Sequence, residues 1–219
     1  MKNTILMLLL SIGILPAIAQ KVVEKHMPFT AGKMISMNFQ ISDSIRIITW
    51  NKSEVYVKSS INVNDNKNND DYKMNFDETD DNIHISGKLE MNGGKGYRNN
   101  GDCNCCCNQA TIYHDVYIPE NADISVETIN GNIVLTGSFA GIRVHTISGY
   151  IDLAIAPESK ADLTMGTISG TLYSNFEFPV DTGHMRRVGG RDLTTRLNGG
   201  GGKPIELKTI SGNIFLRKA

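Results

Sequence analysis

The sequence predicts an all-β protein: a β-solenoid, single-stranded and β-helix-like, with coils of about 20 residues and a less regular β-rich N-terminal half. Three observations predict it. First, one eight-residue phrase is written four times: "TINGNIVL" from Thr128, "TISGYIDL" from Thr146, "TISGTLYS" from Thr167 and "TISGNIFL" from Thr209. Second, the copies are evenly spaced. Thr128 to Thr146 is 18 residues, Thr146 to Thr167 is 21, and Thr167 to Thr209 is 42, two steps of 21. Third, the chain has 21 Gly against 6 Pro, and no long stretch carries the apolar period of an amphipathic helix.

The chain opens on an export signal. Lys2 supplies a positive start, residues 5–15 form an eleven-residue apolar run, and Ala17-Ile18-Ala19 is an A-x-A cleavage site. A membrane anchor is the alternative, but spanning a bilayer takes about 20 apolar residues. Residues 1–19 therefore read as a signal peptide cut before Gln20. No Cys follows the cut to take a lipid anchor, and no later segment is apolar enough to span a membrane. The expected product is exported, to the periplasm or the cell surface. Without Lys2 it carries 21 basic and 23 acidic residues. That balance gives no footprint for nucleic acid or anionic lipid.

Residues 20–118 read as the β-rich N-terminal part of the solenoid, or as a subdomain. Strands are expected at "IRIITW" ending at Trp50, "EVYVKSSINV" ending at Val63, "KMNF" ending at Phe76, "NIHISGKL" ending at Leu89 and "TIYHDVYIP" ending at Pro119. "DNKNNDDY" and "DETDDN" between them are turn-rich.

Residues 119–219 hold the repeats. In the first copy the alternating apolar positions are Ile124, Val126 and Thr128, then Ile133 and Leu135. Parity switches across "TING". A strand has a period of two, so the switch predicts strand, corner, strand. The corners are Thr128 with Gly131, Thr146 with Gly149, Thr167 with Gly170 and Thr209 with Gly212; glycine accepts a backbone turn there without a Cβ clash. Coils stacked in chain order would form ladders, one of Thr and one of Ile129, Ile147, Ile168 and Ile210. A degenerate copy, "RVGGRDL" from Arg187, is expected between the third and fourth phrases, and "HISGKLEM" from His84 is an outlying copy. The terminal "RKA" would blunt the last edge. An antiparallel sandwich is the rival fold, but its hairpins would not need the same corner at each period.

These residues carry a resemblance. "IITWNKSEVYV", the "TISG" corners and "LNGGGGKPIELKTISGNIFLRK" behind an export signal are similar to the putative-adhesin domains of bacterial β-solenoid proteins, a family largely of unknown function. The resemblance covers most of the mature chain. It implies a solenoid in the cell envelope, and it implies no enzyme activity, cofactor or catalytic residue.

Candidate chemistry is sparse. Cys103, Cys105, Cys106 and Cys107 are the only cysteines. In an oxidising compartment disulfides are the leading reading, although near neighbours bridge with strain. A soft-metal loop with His114 as a further ligand is the alternative, against the usual C-x₂₋₄-C spacing of zinc sites. A thiol insert without function is the third. The acidic loops lack the ligand pattern of a calcium loop. "NGGGGKP" lacks the Ser or Thr and the helix that a phosphate loop requires. His145 should face outward beside Glu127 as an exposed ion pair.

Carbohydrate-cleaving enzymes need converging carboxylates. The outward columns here read Glu127, His145, Gly166, Lys208 and Val134, Asp152, Tyr173, Phe215, with no repeated acidic pair. Tyr150, Tyr173 and Phe215 either cover neighbouring side chains or stack on sugars. The expected function is a non-enzymatic, adhesin-like binding or structural module, presenting a rigid outer face and loops to an envelope protein or glycan. A polysaccharide-active β-helix enzyme and a metal- or redox-responsive envelope protein using the Cys103–Cys107 loop are the alternatives.

Overall fold

A computed structural model describes residues 20–90, 109–178 and 191–219, the side chains of Arg191 and Asp192 excepted. The signal segment and the four cysteines lie outside the described residues. The described chain is all-β apart from one 3₁₀ turn, Asn69–Asp71. In chain order the strands are β1 (Lys21–Pro28), β2 (Met34–Trp50), β3 (Glu54–Val63), β4 (Tyr72–Glu78), β5 (Asn82–Leu89), β6 (Ala110–Pro119) and β7 (Asp123–Thr136). There follow β8 (Gly141–Ser148), β9 (Ile151–Ile155), β10 (Ala161–Ser169), β11 (Leu172–Ser174), β12 (Arg191–Leu197), β13 (Lys203–Ser211) and β14 (Ile214–Lys218). The five strands expected in the N-terminal half all form. The first half of β2 and all of β1 were not anticipated.

All 14 strands belong to one open, mixed sheet. It has two limbs that share the long strands β2 and β7. The first limb runs β4-β5-β2-β7-β8-β13-β10-β12, and the second runs β1-β3-β6-β2-β7-β9-β14-β11. The middle of each limb is parallel and in register: Thr128 pairs with Thr146, Thr146 with Thr209, and Thr209 with Thr167. Beyond the corner Ile133 pairs with Ile151, Ile151 with Ile214, and Ile214 with Leu172.

The order of these rungs differs from the expected one. The last phrase in the chain sits between the second and the third, so space order is not chain order. Of "RVGGRDL" only the last three residues are described, and they open β12, which runs antiparallel to β10 with Thr167 opposite Arg191. Nor does the C-terminus form an edge. β14 lies between β9 and β11, and Arg217 makes a two-pronged ion pair with Asp152, both contacts 2.7 Å. "HISGKL" does pair in parallel, but with β2, through Ser36 opposite His84.

The parity switch in β7 is real. Ile124, Val126 and Thr128 are buried, then Ile133 and Leu135. β2 forms the same rung beside it, with Phe39 opposite Thr128 and Ile45 opposite Ile133. It bends by a bulge between Ile41 and Ser44 where the other rungs use glycine. The inward rows of both limbs meet in one apolar cluster, including Ile35, Val126, Val144 and Leu207 from the first limb and Ile47, Leu135, Leu153 and Leu216 from the second. Burying such rows contributes roughly 1.5–3 kcal/mol per side chain.

The corners explain the phrase. A Cβ on Gly170 would lie 1.8 Å from the backbone oxygen of Gly212, one on Gly212 1.9 Å from that of Gly149, and one on Gly149 2.2 Å from that of Gly131. Gly131 in turn faces the backbone of Ser42 on β2. Close approach between stacked corners, more than turn conformation, requires glycine here. Threonine is explained by the same carbonyls. Its hydroxyl is buried in all four copies, and it donates to Asn130 O from Thr128, Ser148 O from Thr146, Gly212 O from Thr167 and Gly149 O from Thr209. Valine would fill the volume and forfeit these hydrogen bonds.

Gly212→Ala should therefore destabilise the fold by about 2–4 kcal/mol, as overpacking against backbone does. Gly199→Ala, in a left-handed turn with open space around it, should cost about 1–2 kcal/mol. Chemical denaturation of the two variants checks the contrast. Equal losses would remove the stacking argument.

Candidate functional site

Strand alternation that buries Thr128, Thr146, Thr209 and Thr167 turns the next residue of each rung outward. Ile129, Ile147 and Ile210 are each 47% exposed and Ile168 is 61% exposed. They form a ladder of four neighbouring rungs, about 14 Å long at the usual strand spacing. Asn38, Glu127, His145, Lys208 and Gly166 form a parallel column two residues earlier, one per rung from β2 to β10. Between the two columns runs an open groove of ≈ 600 Å³. One wall is aliphatic and the other is polar.

The polar wall is held in place by ion pairs. Glu206 accepts a hydrogen bond from Lys208 and lies 3.5 Å from both Arg143 Nε and His145 Nε2. The Lys208 ammonium, foremost, and then His145 hold the Glu206 carboxyl below its usual range. His145 lies beside Glu127 as expected, but its Nε2 approaches Glu206 of β13, at 3.5 Å. Glu127 instead accepts from Asn38 Nδ2 at 3.4 Å. Glu127, which lines the groove, is thus engaged by an amide, and Glu206 beside it by cations.

Beyond the corner the aromatic column forms as expected and stacks on itself. Tyr173 and Phe215 are 5.0 Å apart and nearly parallel, and Tyr150 meets Phe215 edge-on at 6.2 Å. One face of Phe215 is therefore taken up by Tyr173. Asn132 and Asn213 brace this side, each accepting from the backbone N–H of the adjoining rung, Tyr150 and Thr171.

His114 lies elsewhere, buried between β6, β3 and β4. Its Nδ1 is 2.7 Å from Ser59 Oγ and its Nε2 is 3.1 Å from Tyr72 OH, while its ring stacks on Phe39 at 4.0 Å. A neutral imidazole has one donor and one acceptor nitrogen, and both are used. Burial pushes its pKa down to about 3 and pushes the Tyr72 hydroxyl up. Gly87 leaves the space that the Tyr72 hydroxyl fills, since a Cβ there would lie 2.1 Å from it. Among the described residues no group of three or more His, Cys, Asp or Glu side chains is placed to hold a metal ion. No described helix is long and apolar enough to cross a membrane.

Sequence reasoning named the Thr and Gly corners and the ladder of isoleucines, but not the isoleucines' exposure. The signal was present: a residue next to an inward Thr in an alternating strand must point outward. The Ser59–His114–Tyr72 network had no such signal, because its members come from three separated strands.

No protein-family model matches the chain, and no curated protein does. Among solved structures it is similar to a putative cell adhesion protein from Clostridium sporogenes. The TM-score is 0.55 at 10% identity, over 92% of this chain and 100% of that one. At that identity the likeness shows the fold alone. Weaker likenesses are to putative adhesins from Parabacteroides merdae (TM-score 0.29, 11% identity, 70% of this chain and 69% of that one) and Bacteroides fragilis (0.23, 6%, 92% and 98%).

His114 makes folding acid-sensitive with a defined sign. The unfolded chain binds a proton near pH 6.5 and the folded chain only near pH 3. The stability tied to neutral His114 is thus complete above pH 6.5 and is lost as pH falls toward 3, by about 1.4 kcal/mol per pH unit. Denaturant unfolding at pH 7, 6 and 5 should show this slope, and His114→Gln should flatten it. A slope unchanged in the variant would exclude His114 as the source.

Proposed function

We propose that the chain is an exported, non-enzymatic binding module of the adhesin-like kind, built as a β-solenoid. In-register parallel rungs that turn at the same corner support the solenoid reading. Each rung contributes one strand to each limb, and Thr, Gly and the following Ile or Leu fall in continuous columns. The signal segment supports export to the periplasm or cell surface. The fold shared along nearly the whole chain with the Clostridium sporogenes protein supports the adhesin-like reading.

The observation that carries the function is the exposed isoleucine ladder. A single exposed Ile is ordinary. Four on adjacent rungs beside a 600 Å³ groove make a continuous apolar surface with a charged rim, the kind that marks an interaction site. The ligand is an envelope protein or a glycan. The scaffold's role is to hold the ladder rigid, so that binding costs little ordering entropy.

The test is a binding screen. Residues 20–219 would be probed against bacterial envelope proteins, this chain included, and against glycans, beside the double variant Ile147→Lys/Ile210→Lys. Both positions face solvent, so stability should stay within about 0.5 kcal/mol. Binding should fall about tenfold or more in the variant. A protein that binds nothing, or a variant that binds like the parent, would refute the assignment.

A further inference from the structure

We propose that the ladder face recognises a second copy of this chain, related by a two-fold axis through the rung of His145 and Ile147. This rests on the reading of that face as a binding surface and names its partner.

The argument comes from the order of charges along the polar wall. From β2 to β10 the wall reads Asn38, Glu127, His145, Lys208, Gly166. In charge this is neutral, negative, histidine, positive, neutral. Glu206, one column further along the strands, is shared by Lys208 on its own rung and by Arg143 on the rung of His145, so Lys208 does not have the carboxylate to itself. The column is five rungs long, and His145 is its centre.

Set two such faces together with the stacking directions reversed, the two-fold axis lying in the interface and running along the strands. Each column then faces its own copy in reverse order. Glu127 meets Lys208 of the second copy and Lys208 meets its Glu127, so the same contact is made twice. His145 meets His145, and the uncharged ends, Asn38 and Gly166, meet each other. In the adjoining ladder Ile147 meets Ile147 and Ile129 meets Ile210. Within these two columns no like charges are opposed; in the next column Arg143 meets its own copy on the axis, flanked by the Glu206 of each chain.

A two-fold interface is self-complementary by construction, and such dimers are the commonest soluble oligomers. The mature chain is near neutrality, with 21 basic and 23 acidic residues, so little long-range repulsion opposes the approach of two copies. The described strands at the ends of the stack are charged or, in β11, only three residues long, which discourages growth along the stack axis. Association is left to the side of the stack. The ladder is shorter than a standard interface requires, which places the dimer in the weak and transient class. That class suits contact between copies displayed in number on facing surfaces, where many weak links add.

The experiment uses charge reversal in two chains. Glu127→Lys gives a face with cations at both reciprocal positions, and Lys208→Glu gives one with anions at both. Each variant alone should dimerise about tenfold or more weakly than the parent. Mixed together they should form a heterodimer, since both reciprocal contacts become opposite in sign. Sedimentation from about 1 µM to about 1 mM, the span that covers weak interfaces, reads all three samples, with melting curves confirming that each variant is folded. Ile147→Lys should abolish the dimer. A parent that stays monomeric throughout would overturn the proposal, as would variants that dimerise alone or a mixture that stays monomeric. A monomeric parent that binds another envelope protein or glycan through the ladder would overturn the self-recognition alone. The function proposed above would then stand.

Discussion

The structure depends on the contact between one corner glycine and the next. Neighbouring strands sit about 4.8 Å apart, and at the corner the backbone itself occupies that gap. The run Ser42, Gly131, Gly149, Gly212 and Gly170 places a carbonyl oxygen where each following Cβ would be. A side chain there would wedge two rungs apart. The same length of chain serves both limbs, so the wedge would disturb the register on both sides of the corner. The buried threonines complete the arrangement. Their hydroxyls donate to carbonyls of the corners themselves.

That constraint makes columns. Once the rungs are locked in register, every position of the phrase is repeated beside its equivalent. The inward columns must be apolar, or threonine at the corner. The outward columns carry no such demand. The column after threonine could hold lysine or serine without cost to the core, and yet it is isoleucine on four rungs and half exposed. The core does not explain it. The polar column beside it varies from rung to rung, which is how a surface acquires a sequence of charges that a partner can read.

Much of this was legible in the sequence, because the repeated phrase reports local periodicity. The parity switch across "TING" placed the corner, and the five N-terminal strands ended within a residue or two of their expected ends. What the phrase does not encode is neighbour choice. "TISGNIFL" is interchangeable with its copies, so nothing in it says that it will slot between the second and third, where it brings Glu206 alongside His145. The rung in β2 was hidden for a different reason. Its corner is a bulge at Ser42 without Thr or Gly, and no pattern search on the phrase would find it. The Ser59–His114–Tyr72 network was invisible because no spacing reports a contact between residues 42 and 55 positions apart.

The ends of the stack show why the corner face matters. A parallel stack has two open edges, and an open edge is a template for further strands. Here both ends of the first limb finish in antiparallel pairs, β4 on β5 and β12 on β10. The second limb ends in β1, with Lys21, Glu24, Lys25 and His26, and in β11, only three residues long. Each edge is charged or short, so pairing through main-chain hydrogen bonds is discouraged. The isoleucine ladder is discouraged by nothing comparable. It lies on the side of the stack, its rungs fixed by the glycines beneath, and its charged rim changes sign from one end to the other. With the described ends charged or short, the apolar flank is the surface left open. The glycine that holds two rungs together inside is thus also what holds two isoleucines at a fixed spacing outside.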